Sequence, residues 1–168
     1  IIKRRTALGL LAHGDREDVY TRSRSEMLAM IQIAMGGQSA EEIFFGDVST
    51  GPAGDLAAAT NTAAQMVGAA GMKDSLVSLA AVQNSGFSDT NIVGRVLGDR
   101  DGRSAVEDVL QEQKVRARGL LESNRRLVEA LRDALLERHE LIGHEITDVL
   151  EAAAAAADGP KVIDLRDH

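Results

Sequence analysis

Cysteine is absent from the sequence. This absence excludes a disulfide framework and any metal site built on thiolates, and it fits a reducing compartment. Aromatic residues make up only 2% of the chain and tryptophan is missing, so Ala, Leu, Val, Ile and Met supply most of the apolar residues. Such a composition is more typical of closely packed helices than of a β-sandwich, whose strands are rich in β-branched and aromatic residues.

Two further absences concern the partners of the protein. No apolar run approaches the ~20 residues that span a bilayer, so we expect no membrane contact by this chain itself. The formal net charge is −7 and there is no basic stripe with interleaved aromatics, so nucleic acid is not an expected partner. The 168 residues, 44% of them hydrophobic, are enough for a globular domain with its own core.

Apolar residues recur at helical spacing along most of the chain, which predicts a mainly α fold. The N-terminal segment, where apolar pairs are separated by basic residues and glycine, is instead predicted to form a short strand or hairpin with a turn near Gly14. We assign residues 1–157 to one domain: a strand and turn region at 1–24, helices at 25–72, a long loop region at 73–103, and C-terminal helices at 104–157. A polar tail is predicted at 158–168.

Local signals predict where the helices begin. Ser25 is the expected cap of the first helix and Asp55 opens the second. A capping box of Ser104 with Glu107 begins a third helix, and Asn124 precedes a fourth.

Gly36 and Gly37 interrupt the first helical pattern. A glycine costs a helix about 1 kcal/mol relative to alanine, so the pair needs a reason. A close approach by another backbone and a break in the helix are both consistent with it, and the close approach is favoured.

The stretch from His139 to His144 superficially resembles a zinc-protease helix. Such a helix needs histidines at i and i+4, so that both imidazoles reach one ion, whereas the spacing here is i and i+5. Together with Gly143, this favours two histidines that flank a loop. His13 and His168 are expected to be structural or exposed.

Residues 46–55 are rich in glycine, but they lack the Gly-Lys-Ser/Thr ending of a P-loop, so we predict no nucleotide site within the chain. By local criteria alone, Asp55 is a carboxylate at a helix N-terminus, where it caps the helix and interacts favourably with the helix dipole. By the same criteria Glu41 and Glu42 are charges on the face of a helix.

Two neighbouring motifs change this interpretation. GGQSAEEIFFG at 36–46 and VSTGPAGDLAAAT at 48–60 together resemble the protease domain of the FtsH family. In that family the pattern runs Gly-Gly-x-x-Ala-Glu-Glu, three apolar residues and Gly, followed by Ser-Thr-Gly-Ala-x-x-Asp. The resemblance covers residues 1–151, and the two motifs together are specific.

The resemblance implies a membrane-anchored AAA+ protease that assembles as a homohexamer on the cytoplasmic side of the bacterial inner membrane. ATP and magnesium would bind in an upstream ATPase domain, and the substrates would be membrane and cytosolic proteins. In the family, two histidines of an HExxH helix and an aspartate hold the catalytic zinc, and the glutamate of HExxH activates the water. The aspartate matches Asp55, whereas Glu41, Thr50 and Gly51 are expected to support the site or to be structural.

The sequence departs from the family pattern conservatively at Pro52, which replaces the usual alanine in a loop, and also at Lys3, which replaces the usual proline. The decisive departure is that no HExxH is present. We expect HExxH to lie just upstream of Ile1 in a longer parent protein, so the chain alone should be inactive. The alternative is a non-catalytic helical assembly module of an FtsH-like paralogue, and nothing in residues 1–168 separates the two hypotheses.

Overall fold

The computed structural model describes residues 2–4, 7–10, 21–73, 75–81 and 91–157. Over these residues the fold is mainly α, as predicted, with seven α-helices, one 3-10 turn and a short pair of strands. The elements in chain order are β1 (Ile2–Arg4), β2 (Ala7–Leu10), α1 (Arg24–Ala34), α2 (Gly36–Phe45), α3 (Ala53–Gly68), the 3-10 turn (Leu79–Ala81), α4 (Ile92–Gly98), α5 (Arg100–Ser123), α6 (Arg125–Arg138) and α7 (His144–Ala157).

The two strands form the predicted N-terminal hairpin. They pair antiparallel, with Ile2 opposite Leu10 and Arg4 opposite Ala7, and the register shifts between these two pairs. The turn predicted near Gly14, together with His13, His168 and the tail at 158–168, lies outside the described residues.

The chain is divided into two compact units, one holding α1 to α5 and the other holding the strand pair with α6 and α7. In the first unit α5 packs against α1, α2, α3 and α4. Its buried residues recur every three or four positions, as expected of a helix with one face in the core. The buried apolar core of this unit consists of Ile31, Met35, Ala59, Ala63, Ala64, Met66, Val96, Val106, Val109, Leu110 and Ala117.

Helix α1 begins two residues earlier than predicted, because Ser23 and not Ser25 is its cap. The Ser23 Oγ accepts a hydrogen bond from the Glu26 backbone N–H at 3.2 Å. The Glu26 carboxylate in turn accepts one from the Ser23 N–H at 2.6 Å. This reciprocal capping box needs a glutamate three residues after the cap, which Ser23 has and Ser25 lacks.

The glycine pair at 36–37 marks a break in the helix, so the favoured interpretation of close backbone approach was wrong. Met35 ends α1 and precedes α2. A Cβ added at Gly36 would meet no described atom within 4 Å, and one at Gly37 would meet only the carboxylate of Asp55, at 3.8 Å. The absent side chains therefore leave this part of α2 open toward Asp55.

The predicted loop region at 73–103 contains a helix, α4, which the sequence prediction missed. Asn91 caps it by accepting a hydrogen bond from the Gly94 N–H at 2.8 Å. Helix α5 then begins at Arg100, because the Asp99 carboxylate accepts a hydrogen bond from the Gly102 N–H at 2.7 Å. The start predicted at the Ser104 capping box was therefore wrong, since the helix is already continuous there.

In the second unit, Asn124 precedes α6 as predicted. His139 ends α6 with a left-handed backbone (φ 64°), Gly143 has φ 48°, and α7 begins at His144. The two histidines therefore flank a connection between helices, which confirms that they do not share a helix face. Of the helices in the described part of the chain, none is long and apolar enough to cross a membrane.

Candidate metal centre

The candidate site lies where α2, the loop at 46–52 and α3 meet. Gly46 ends α2 in the left-handed region (φ 68°), which glycine adopts without strain. The loop then turns into α3 through two backbone hydrogen bonds, from the Ala53 N–H to the Thr50 carbonyl at 3.2 Å and from the Leu56 N–H to the Pro52 carbonyl at 2.9 Å. Thr50 thus contributes its carbonyl group to the turn.

Asp55 lies in the first turn of α3, two residues inside the helix. It is therefore not the residue that caps the helix, and the local interpretation of Asp55 as an N-cap was wrong. Its side chain is exposed and makes no hydrogen bond or ion pair within the described residues. Asp55 thus presents a carboxylate at the start of α3 that has no partner among the described residues.

Glu41 binds the loop that precedes Asp55. Its two carboxylate oxygens accept hydrogen bonds from Ser49, one from the backbone N–H and one from the hydroxyl, both at 2.7 Å. The Ser49 hydroxyl oxygen also accepts a hydrogen bond from the Gly51 N–H at 3.0 Å. These bonds, the backbone one first, lower the pKa of Glu41 below its usual 4.5. An ionised Glu41 therefore holds the Ser-Thr-Gly segment against α2.

A side chain at residue 51 would crowd this arrangement. A Cβ there would lie 3.1 Å from the Ser49 hydroxyl and 3.6 Å from the Glu41 carboxylate. Gly51 therefore lets the loop close tightly on Glu41, while Thr50 and Gly51 both act through their backbones.

One face of α2 organises both parts of the site. Gly37 and Glu41 are four residues apart, so they lie one turn apart on the same face of the helix. Asp55 lies opposite Gly37, and the Ser49 segment is bound by Glu41. The sequence prediction named neither Gly37 nor Ser49 as a site residue, although both belong to the two motifs that carry the family resemblance.

Glu42, next to Glu41, has a different role. Its carboxylate binds the Lys114 ammonium at 2.6 Å and the Arg118 guanidinium at 3.4 Å, and both of these residues are on α5. The two glutamates that looked alike in the sequence therefore attach α2 to different neighbours, the loop in one case and α5 in the other.

The donor set for a metal is incomplete in the described residues. Carboxylate oxygen is a ligand type that zinc accepts, and Asp55 has such an oxygen free. No group of three or more His, Asp or Glu side chains in the part of the chain that the structure describes could hold a metal ion. Asp55 could therefore supply one oxygen ligand of such a site.

Comparison with known proteins assigns most of the chain to the family that the two motifs indicated. The family model for "Peptidase family M41" matches residues 1–149. The chain is similar to curated proteins named "ATP-dependent zinc metalloprotease FtsH" from three bacteria. It is 34% identical to the protein of Akkermansia muciniphila over 90% of this chain, 33% identical to that of Ralstonia pickettii over 94%, and 31% identical to that of Cupriavidus metallidurans over 89%. The aligned part is 20%, 23% and 24% of those proteins, so the chain spans about a fifth to a quarter of their length. The chain belongs to peptidase family M41.

Proposed function

We propose that this chain is the part of an ATP-dependent zinc metalloprotease that supplies Asp55 as the third zinc ligand. The names of its relatives, together with the match to the M41 family over residues 1–149, support this activity for the parent protein. The two histidine ligands and the catalytic glutamate come from an HExxH helix upstream of Ile1. The parent is a homohexamer with ATP and magnesium in an upstream ATPase domain. It degrades membrane and cytosolic proteins at the cytoplasmic side of the bacterial inner membrane.

The observation that carries the proposal is the carboxylate of Asp55, which has no partner among the described residues and lies beside Gly37 of α2. A carboxylate at the start of a helix can serve as its cap, but this one makes no capping hydrogen bond. It has neither an ion-pair nor a hydrogen-bond partner within the described residues. Gly37 presents no side chain toward it, which leaves space beside the carboxylate. A charged group kept free of protein partners is thus available to a cation.

The chain's own residues orient this ligand rather than perform the chemistry. Zinc, when bound, polarises the substrate carbonyl and lowers the pKa of its water to about 7. Asp55 would hold the metal on the α3 side. Glu41 would fix the loop that leads into α3, because the two hydrogen bonds that it accepts from Ser49 attach that loop to α2.

The test is Asp55→Asn in the full-length parent, compared with Asp101→Asn. Asp101 is a matched control, since it too is an exposed carboxylate in the first turn of a helix, α5. We expect Asp55→Asn to weaken zinc binding by more than about 100-fold, because losing a ligand should exceed the 10–100-fold effect of losing a supporting partner. Proteolysis should be lost, while ATP hydrolysis and the melting temperature should match those of Asp101→Asn. Zinc is measured by metal analysis after dialysis.

The outcome separates the ligand assignment from its alternatives. Wild-type zinc content and proteolysis in Asp55→Asn would refute the assignment of Asp55. A wild-type parent that binds no zinc and cleaves no protein would instead identify the chain as part of a non-catalytic assembly module.

A further inference from the structure

Two polar side chains are buried in the first unit without protein partners. Ser39 on α2 and Gln113 on α5 are 0% and 1% exposed. Within the described residues no hydrogen bond reaches the Ser39 hydroxyl or either polar atom of the Gln113 carboxamide. The great majority of buried polar atoms in proteins have a hydrogen-bond partner, so three unpaired atoms in one core need an explanation.

Ser39 and Gln113 lie on two helices that pack against each other. Helix α2 packs chiefly on α5, so Ser39 is buried by α5. Glu42, one helical turn after Ser39, binds Lys114, which is next to Gln113 in the chain. This ion pair brings the turn of α2 that carries Ser39 near the turn of α5 that carries Gln113.

The three atoms offer complementary hydrogen bonds. The Gln113 Nε2 donates, its Oε1 accepts, and the Ser39 hydroxyl can do either. An internal water typically makes about three hydrogen bonds to buried polar groups that otherwise lack partners. Leaving such groups unpaired would lower the folding equilibrium constant by roughly 10- to 100-fold per group.

We propose that Ser39 and Gln113 form a buried water-binding site between α2 and α5, in which an internal water bridges the hydroxyl and the carboxamide. The site would hold α2 at a defined position along α5, beside the ion pair of Glu42 with Lys114. Since α2 also carries Gly37 and Glu41, the bridge would keep the face of α2 that meets the loop and α3 in place. The proposal does not depend on zinc binding.

The first test is a double-mutant cycle in the full 168-residue chain, with Ser39→Ala, Gln113→Met and both together. Each single substitution leaves the polar group on the other helix without its hydrogen-bond partner, so each should lower the folding equilibrium constant by about tenfold. The double variant leaves neither polar group in place, so its folding equilibrium constant should fall no further than that of the less stable single variant. The matched controls are Ser104→Ala and Gln65→Met, exposed residues that should change the constant less than about twofold.

The second test detects the water directly in the wild-type chain. We expect the Gln113 side-chain amide hydrogens to show a magnetic-resonance cross-peak to a long-lived water, and Ser39→Ala to abolish it. Losses that simply add in the double variant, or a Gln113 amide with no water cross-peak, would overturn the proposal. The resonance measurement on the wild-type chain requires no variant, so it decides the question even if a substituted chain fails to fold.

Discussion

Two glycines in α5 provide a matched test of how α4 and α5 pack together. A Cβ added at Gly102 would lie 2.6 Å from the Val96 carbonyl oxygen, well inside the 3.4 Å at which ordinary van der Waals contact begins. A Cβ added at Gly119, further along the same helix, would meet no described atom within 4 Å. Both residues belong to the same compact unit. Alanine at the two positions should therefore change stability in opposite directions.

The expected magnitudes follow from two opposing effects. Glycine-to-alanine substitution inside a helix stabilises by up to about 1 kcal/mol, and this alone should act at Gly119. At Gly102 the obstacle is a backbone oxygen, which cannot turn away as a flexible side chain can. Overpacking of this kind costs about 1–3 kcal/mol, so Gly102→Ala should lose about 1–2 kcal/mol net. In a chain of this size each kcal/mol shifts the melting temperature by about 2–4 °C.

The assay is urea unfolding followed by circular dichroism. The unfolding midpoints of the two variants report stability directly when their m-values are equal. Gly119→Ala should unfold at a higher urea concentration than the wild type, and Gly102→Ala at a lower one. If Gly102→Ala proved as stable as Gly119→Ala, the close approach of α4 to α5 would be wrong.

Two further predictions concern charged residues of the same unit. The Ser23 backbone N–H and, after it, the Ser23 hydroxyl donate hydrogen bonds that lower the pKa of Glu26 below its ordinary 4.5. The ionised Glu26 therefore stabilises the folded protein at neutral pH, and this stabilisation is lost as the pH falls through the lowered pKa. Glu26→Gln should therefore be less stable than the wild type at neutral pH and equally stable in acid, and a gap that persists in acid would contradict this. Lys114→Met should lower the free energy of unfolding, measured in urea, by about 1 kcal/mol, because the ion pair of Lys114 with Glu42 is half-buried. Arg116→Met removes an exposed i,i+4 ion pair, so it should lower the free energy of unfolding by less than about 0.5 kcal/mol. Equal losses in these two variants would show that the link from α2 to α5 contributes no more than a surface pair.

The helices could be predicted from the sequence because their signals are local. Periodic apolar residues marked α1, α3, α5, α6 and α7, and Asn124 was correctly placed before α6. The predicted starts failed where another local signal competed, as when Ser23 with Glu26 displaced Ser25 and Asp99 displaced Ser104. Helix α4 was missed because seven residues give too little periodicity, and its buried Val96 is recognised only by its packing.

The sequence by itself determined the family and the position of Asp55 within its motif, because both depend on the order of residues along the chain. Only the tertiary structure decided that Asp55 is unpaired rather than a cap, and that Glu41 binds Ser49 whereas Glu42 binds Lys114. The last of these bonds joins residues 72 positions apart. Such contacts depend on which faces of two helices meet, and that choice is made when the whole core packs rather than by any stretch of neighbouring residues.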